Sequence, residues 1–141
     1  MEDQQKLEEL VNEINMYKQQ ADLIQQQIEM IRASLTEVEI LDKTLDDLKE
    51  KETVEAFVPL GAGSFMRGEI KNTKEVIMSI GGGVAVAKDI AGAKDTISGQ
   101  KKDLQDSLDK MMSNLQQVTN VVETLSPQAE QLMSKMRMQQ S

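Results

Sequence analysis

The stretch Val76-Ile-Met-Ser-Ile-Gly-Gly-Gly-Val-Ala-Val-Ala-Lys88 decides how this sequence reads. Three consecutive glycines separate a pair of short apolar runs. Such a patch either cradles a phosphate or turns the chain. A Walker-type loop needs Gly, four residues, then Gly-Lys-Ser/Thr. Gly63 and Gly68 have that spacing, but Glu69 and Ile70 follow, so an acid stands where the lysine belongs. A G-x-G-x-x-G fingerprint begins at Gly61 and Gly63 and fails at Met66. The triple glycine fits neither pattern. In the run 75–80, Val76, Met78 and Ile80 recur with period 2, and a short run follows at 84–87. Period 2 marks a strand. Glycine tolerates positive φ, so Gly81 to Gly83 reads as the turn of a β-hairpin.

Upstream, Val54, Ala56, Val58 and Leu60 alternate with Thr53, Glu55, Phe57 and Pro59. Gly61-Ala-Gly-Ser64 is turn chemistry. A run from Phe65 to Ile70 follows and ends at Lys71-Asn-Thr-Lys74. Residues 53–88 therefore read as two hairpins in series. A lone hairpin is marginally stable, and its edges carry unpaired N–H and C=O groups. The hairpins are expected to specify oligomerisation, with strands from several subunits completing a sheet or barrel. The residues expected to carry that contact are Val54, Ala56, Val58, Phe65, Ile70, Val76, Met78, Ile80, Val84 and Val86.

On either side the period changes. In residues 1–52, apolar side chains fall at Leu7, Leu10, Ile14, Tyr17, Ala21, Ile24, Ile28, Ile31, Leu35 and Val38, in strict alternation of 3 and 4. This is a heptad seam. Val38, Leu41, Leu45 and Leu48 continue it after two consecutive 3-steps, a stammer. In residues 89–141 the seam recurs at Leu104, Leu108, Met111, Leu115, Val118, Val122, Leu125, Ala129, Leu132 and Met136. Gly99 and Lys101 weaken it upstream, and Asp89 is placed to cap the helix N-terminus. Each helix is about 70 Å long at roughly 1.5 Å per residue. Folded back on one another, facing residues would have numbers adding to about 140. The stammer then lies opposite the weak seam at Lys101, which favours antiparallel pairing within one chain. The alternative is a parallel coiled coil with a second molecule. Pro127 removes a helix N–H and is expected to kink or break the second helix.

Composition excludes several functions. The chain has 141 residues, no Cys and no His, which removes thiol chemistry and the commonest zinc ligands. It also removes the usual general base near neutral pH. Neighbouring carboxylates such as Glu8–Glu9, Asp46–Asp47 and Asp103–Asp106 sit off the seam, on solvated faces. No catalytic constellation, cofactor site or metal site is expected. Residues 1–52 hold 14 acids against 6 bases, and no basic stripe compensates, so nucleic acid is not an expected partner. No apolar run approaches the roughly 20 residues of a bilayer span, and the N-terminus does not read as a signal peptide. The expected setting is the cytoplasm. Met133, Met136 and Met138 cluster near the C-terminus, and methionine suits surfaces that accept varied partners.

The order helix, two hairpins, helix resembles an α-class subunit of the prefoldin family. Phe57-Val-Pro-Leu-Gly-Ala-Gly-Ser-Phe-Met-Arg-Gly-Glu-Ile70, with Val84-Ala-Val-Ala-Lys-Asp89 after the triple glycine, carries the specific likeness, which spans essentially the whole chain. The resemblance implies a mainly α fold with a small β part: a long antiparallel two-helix coiled coil joined by two β-hairpins that assemble into an intersubunit β-barrel. It implies a heterohexamer with prefoldin β subunits, two α and four β. It further implies ATP-independent holding of unfolded polypeptides at the coil tips and transfer to a group II chaperonin. The matching tip here holds Leu7, Leu10, Leu132, Met133, Met136 and Met138. A static coiled-coil scaffold binding one folded partner is the competing reading.

Overall fold

The computed structural model describes residues 2–71 and 73–140, with the side chain of Gln140 left out. The element order is α1 (Glu2–Leu48), β1 (Val54–Gly61), β2 (Ser64–Ile70), β3 (Glu75–Gly81), β4 (Val84–Asp89) and α2 (Ile90–Gln140). The four period-2 runs are strands and the two heptad segments are helices. Glu2 and Asp3 lie in the first turn of α1, where the helix dipole favours acids. The Asp89 carboxylate accepts from the Gly92 N–H at 2.8 Å, so Asp89 caps α2 through its side chain.

Each hairpin is an independent two-stranded antiparallel sheet, β1–β2 and β3–β4. The turns share one geometry. Gly61, Ala62 and Gly63 have φ of 111°, 50° and 78°, and Gly81, Gly82 and Gly83 have 98°, 62° and 77°. Ala62 and Gly63, like Gly82 and Gly83, have positive φ at both central positions, as a tight two-residue reversal requires. In each sheet the register shifts just before the turn, between Pro59 and Gly61 and between Ser79 and Gly81. Leu60 and Ile80 are the extra residues of the two bulges. A bulge sharpens the strand twist next to the turn.

The chain divides into two compact units, residues 1–33 with 105–141 and residues 34–104. In the first, the expected seam is the covered face. Ile14, Ile28, Leu108 and Ala129 are buried, and the remaining seam residues are half-buried. Asp3 pairs with Lys135 at 3.7 Å. In the second unit the helices pair antiparallel, as Glu39 with Lys101 at 3.8 Å and Asp42 and Asp46 with Lys94 show. The residue numbers in all these ion pairs add to between 136 and 140, so pairing is within one chain and the parallel alternative is set aside.

The tightest core also lies in the second unit. Leu45, Met78, Ile90, Ala93 and Ile97 form one buried cluster, with Val38, Leu41 and Val76 packed against it. Leu45 is 2% exposed and Ile97 1%. This cluster joins the last turns of α1, the first turns of α2 and one face of the second hairpin. The connection between hairpins is held by Thr73, a buried hydroxyl that donates to the Lys51 carbonyl.

The expected break at Pro127 does not occur. α2 runs as helix through it to Gln140. Pro127 is on the exposed face, and half-buried Leu125 and buried Ala129 hold the chain to the seam on either side. Proline lacks its N–H and its ring crowds the carbonyl four residues back, that of Glu123, yet flanking packing keeps the helix continuous.

Candidate interaction surfaces

The strand registers define two faces per hairpin, because directly opposed residues of an antiparallel pair point the same way. In the first hairpin one face carries Val54 with Ile70, Ala56 with Gly68, and Val58 with Met66. Gly68 has a packing reason, since a Cβ there would meet Val58 Cγ2 at 2.9 Å. The other face carries Phe57 with Arg67 and Pro59 with Phe65. The Phe57 and Phe65 rings meet edge-to-face, with centroids 6.5 Å apart and planes at 69°. Phe65 and Ile70, expected to act together, therefore lie on opposite faces.

In the second hairpin Val76 with Lys88 and Met78 with Val86 share a face, opposite Ile77 with Ala87 and Ser79 with Ala85. Met78 and Val76 are committed to the chain's own core. Val58, Phe65, Ile70, Ile80 and Val84 are exposed, while Val54, Ala56 and Val86 are half-buried. Four large exposed residues fall outside the expected set: Phe57, Leu60, Met66 and Ile77. Phe57 and Ile77 occupy the second face of strands whose period-2 reading picks out only one. Their signal is present in the sequence, since a strand with apolar residues at both parities is apolar on both faces.

At the helix ends remote in sequence from the hairpins, Leu7, Leu10, Leu132 and Met136 sit on the seam, half-buried. Met133 and Met138 point outward, and Met138 is 80% exposed. A shallow groove of about 500 Å³ runs beside them, lined by Pro127, Glu130, Gln131, Ser134, Lys135 and Met138. Sequence reasoning also missed Ile90, Ala93 and Ile97. Counting the seam backward from Leu104 across Lys101 in the same alternation reaches Ile97 and Ile90 and passes Ala93 by one residue.

The Asp46 carboxylate accepts a hydrogen bond from Lys94 and raises its pKa above the ordinary lysine value; partial desolvation opposes this and the charges of Asp46 and Asp42 add to it. Lys88 donates to Thr96 at 2.6 Å, tying β4 to the start of α2. Among the described residues, no cluster of acids could hold a metal ion, and no helix is long and apolar enough to cross a membrane.

Two long helices sealed by a heptad seam, joined through hairpins that leave apolar faces uncovered, define an assembly subunit. The prefoldin subunit family model matches residues 17–135, and the chain belongs to that family. It is 66% identical over 132 residues to the prefoldin subunit alpha of Methanobrevibacter smithii, covering 94% of this chain and 90% of that one. It is 32% identical over 135 residues to the corresponding subunit of Methanosphaera stadtmanae, covering 96% and 97%. Among solved structures, a filamentous prefoldin from Methanocaldococcus jannaschii superposes with a TM-score of 0.71 at 17% identity, over 83% of this chain and 98% of that one. That likeness is one of fold.

Proposed function

We propose that this chain is the α-class subunit of an ATP-independent holdase. In this reading it assembles through its hairpins with prefoldin β subunits, two α to four β, in the cytoplasm. The assembly holds unfolded polypeptides at the helix ends that carry Leu7, Leu10, Leu132, Met133, Met136 and Met138, and passes them to a group II chaperonin. The observation that carries the client-binding step is the outward-facing pair Met133 and Met138 beside a half-sealed seam. Flexible thioether side chains fit apolar segments of many shapes without demanding one geometry. Several weak tips on one platform gain through effective concentration, so each need bind only weakly. The reaction is binding alone. It calls for no nucleophile or acid–base pair, in keeping with a chain that has no Cys or His.

The test is aggregation of a chemically denatured client, with and without the assembled complex. Deleting residues 1–10 and 130–141 should abolish protection and leave the native mass of the core assembly otherwise unchanged. Protection that survives this truncation refutes the tip assignment. Tight, saturable binding to one folded protein, with no effect on unrelated unfolded chains, would mark the subunit as a scaffold instead.

A further inference from the structure

The outer surface of α1 holds an apolar line that neither the seam nor the hairpins account for. Met16, Leu23 and Met30 are 58%, 60% and 71% exposed. They are spaced by seven residues, so all three share one position of the heptad, off the seam. Successive members lie about 10 Å apart along the helix at roughly 1.5 Å per residue. Their lateral neighbours on the helix surface, three and four residues away, are Asn12, Gln19, Gln20, Gln26, Gln27, Ala33 and Ser34, with Glu13 beside Met16 the one acid. Charged residues of the same stretch, Lys18, Asp22, Glu29 and Arg32, fall on the other flank. The chain is strongly acidic in its first third, yet Glu13 is the one charged lateral neighbour of this strip. All of it lies in the unit formed by residues 1–33 and 105–141.

We infer that this strip is a second binding track for unfolded polypeptide, one that takes an extended, uncharged, apolar segment lying along α1. Two alternatives fit the strip less well. A partner helix needs two apolar positions per heptad to form a seam, and here only one is apolar while its neighbours are chiefly polar. A stable contact with a second copy needs roughly 800 Å² per partner, whereas three partly exposed side chains offer on the order of 400 Å². An extended chain asks for less. In the polyproline II form its side chains three residues apart step about 9.3 Å along one side, close to the spacing of the Met, Leu and Met, and its backbone N–H and C=O groups find donors and acceptors in the glutamine amides. The low charge of the strip, with Glu13 alone beside it, disfavours charged segments, which selects the apolar stretches a folded protein hides. This inference rests on the holdase reading and extends it from the helix ends along the shaft of α1.

The experiment uses the full chain in its assembled complex and, as probe, reduced and carboxymethylated α-lactalbumin, which stays unfolded. A photo-crosslinking amino acid is placed at position 23 in one sample and at position 132 in another. A third sample carries M16Q, L23Q and M30Q together, with helix content and native mass checked. The expected result is a crosslink to the probe from position 23, and at least a tenfold weaker affinity in the triple variant at unchanged helicity and mass. A crosslink from 132 alone, with affinity unchanged in the triple variant, overturns the strip and leaves the tips standing. A crosslink from 23 alone supports the strip and refutes the tips. A crosslink from 23 to another copy of this chain overturns the inference.

Discussion

Truncating Leu45 to alanine should destabilise the chain more than truncating any half-buried seam residue. Leu45 is 2% exposed and belongs to the cluster with Met78, Ile90, Ala93 and Ile97. Deleting three buried carbons loses their transfer free energy and leaves a cavity. Ile90 and Ile97 are β-branched and stiff at χ1, and two helices and a strand fix the walls, so collapse into the space is poor. The expected cost is about 3 kcal/mol, in the middle of the Leu→Ala range. For 141 residues, an unfolding entropy of about 2.1 cal/mol/K per residue converts this to a fall in Tm of about 10 °C. Ile24→Ala, at a half-buried seam position, serves as the control and should cost about half as much, since less of its surface leaves water. Circular dichroism at 222 nm during heating reads both, at one fixed protein concentration, because assembly with partner subunits would add stability by mass action. A Tm shift for Leu45→Ala below about 3 °C, or smaller than that of Ile24→Ala, would refute the placement of the main core where helices and second hairpin meet.

Three further outcomes follow from the geometry. Gly82→Ala should cost only about 1 kcal/mol, because φ 62° lies in the left-handed region that Ala62 already occupies at φ 50° in the matching turn, whereas Gly81→Ala, at φ 98°, should cost about 2–3 kcal/mol; equal urea midpoints for the two variants would contradict the shared turn design. Pro127→Ala restores a helix N–H within a helix that already runs through that position, and should stabilise by about 1–3 kcal/mol; no gain in Tm would mean the lost bond is made good locally. For Lys94 the folded pKa is the raised one, so its ion-pair contribution is complete below the unfolded lysine value of about 10.4 and fades as pH rises through the folded value. The stability gap between the parent and Lys94→Met should therefore be widest below pH 10 and narrow in stronger alkali, and a gap that widens there would contradict the pairing with Asp46.

Much of the architecture was legible because its signals are local and periodic. The alternation of 3 and 4 from Leu7 to Val38 names the covered face of α1, since a helix has one seam per heptad register. The sites at which strands reverse were legible for a similar reason: positive φ at three successive residues leaves few sequences other than glycine-rich ones. Ile90, Ala93 and Ile97 were obscured because Gly99, Gln100 and Lys101 interrupt the pattern for a full heptad. At Pro127 a local rule allows a kink or a break, and of these the break does not occur, since packing of its seam neighbours keeps the helix going.

By itself, the sequence determined two heptad helices of matched length, two hairpins between them, the glycine turns and the absence of Cys and His. Hydrophobic period and permitted φ angles are properties of a few adjacent residues, so no folding is needed to see them. The tertiary structure alone decided which apolar faces are used within the chain. Each hairpin presents apolar residues on both sides, and period 2 treats the two sides alike. Burial breaks that symmetry: Met78 and Val76 turn inward onto Leu45, Ala93 and Ile97, and Ile77 is left outside. The same holds for Met16, Leu23 and Met30, whose apolar character is written in the chain but whose exposure exists only once the seam of α1 has been covered by α2. Which surface is left for a partner depends on what the chain has already buried against itself, and that is set by contacts between residues far apart in sequence.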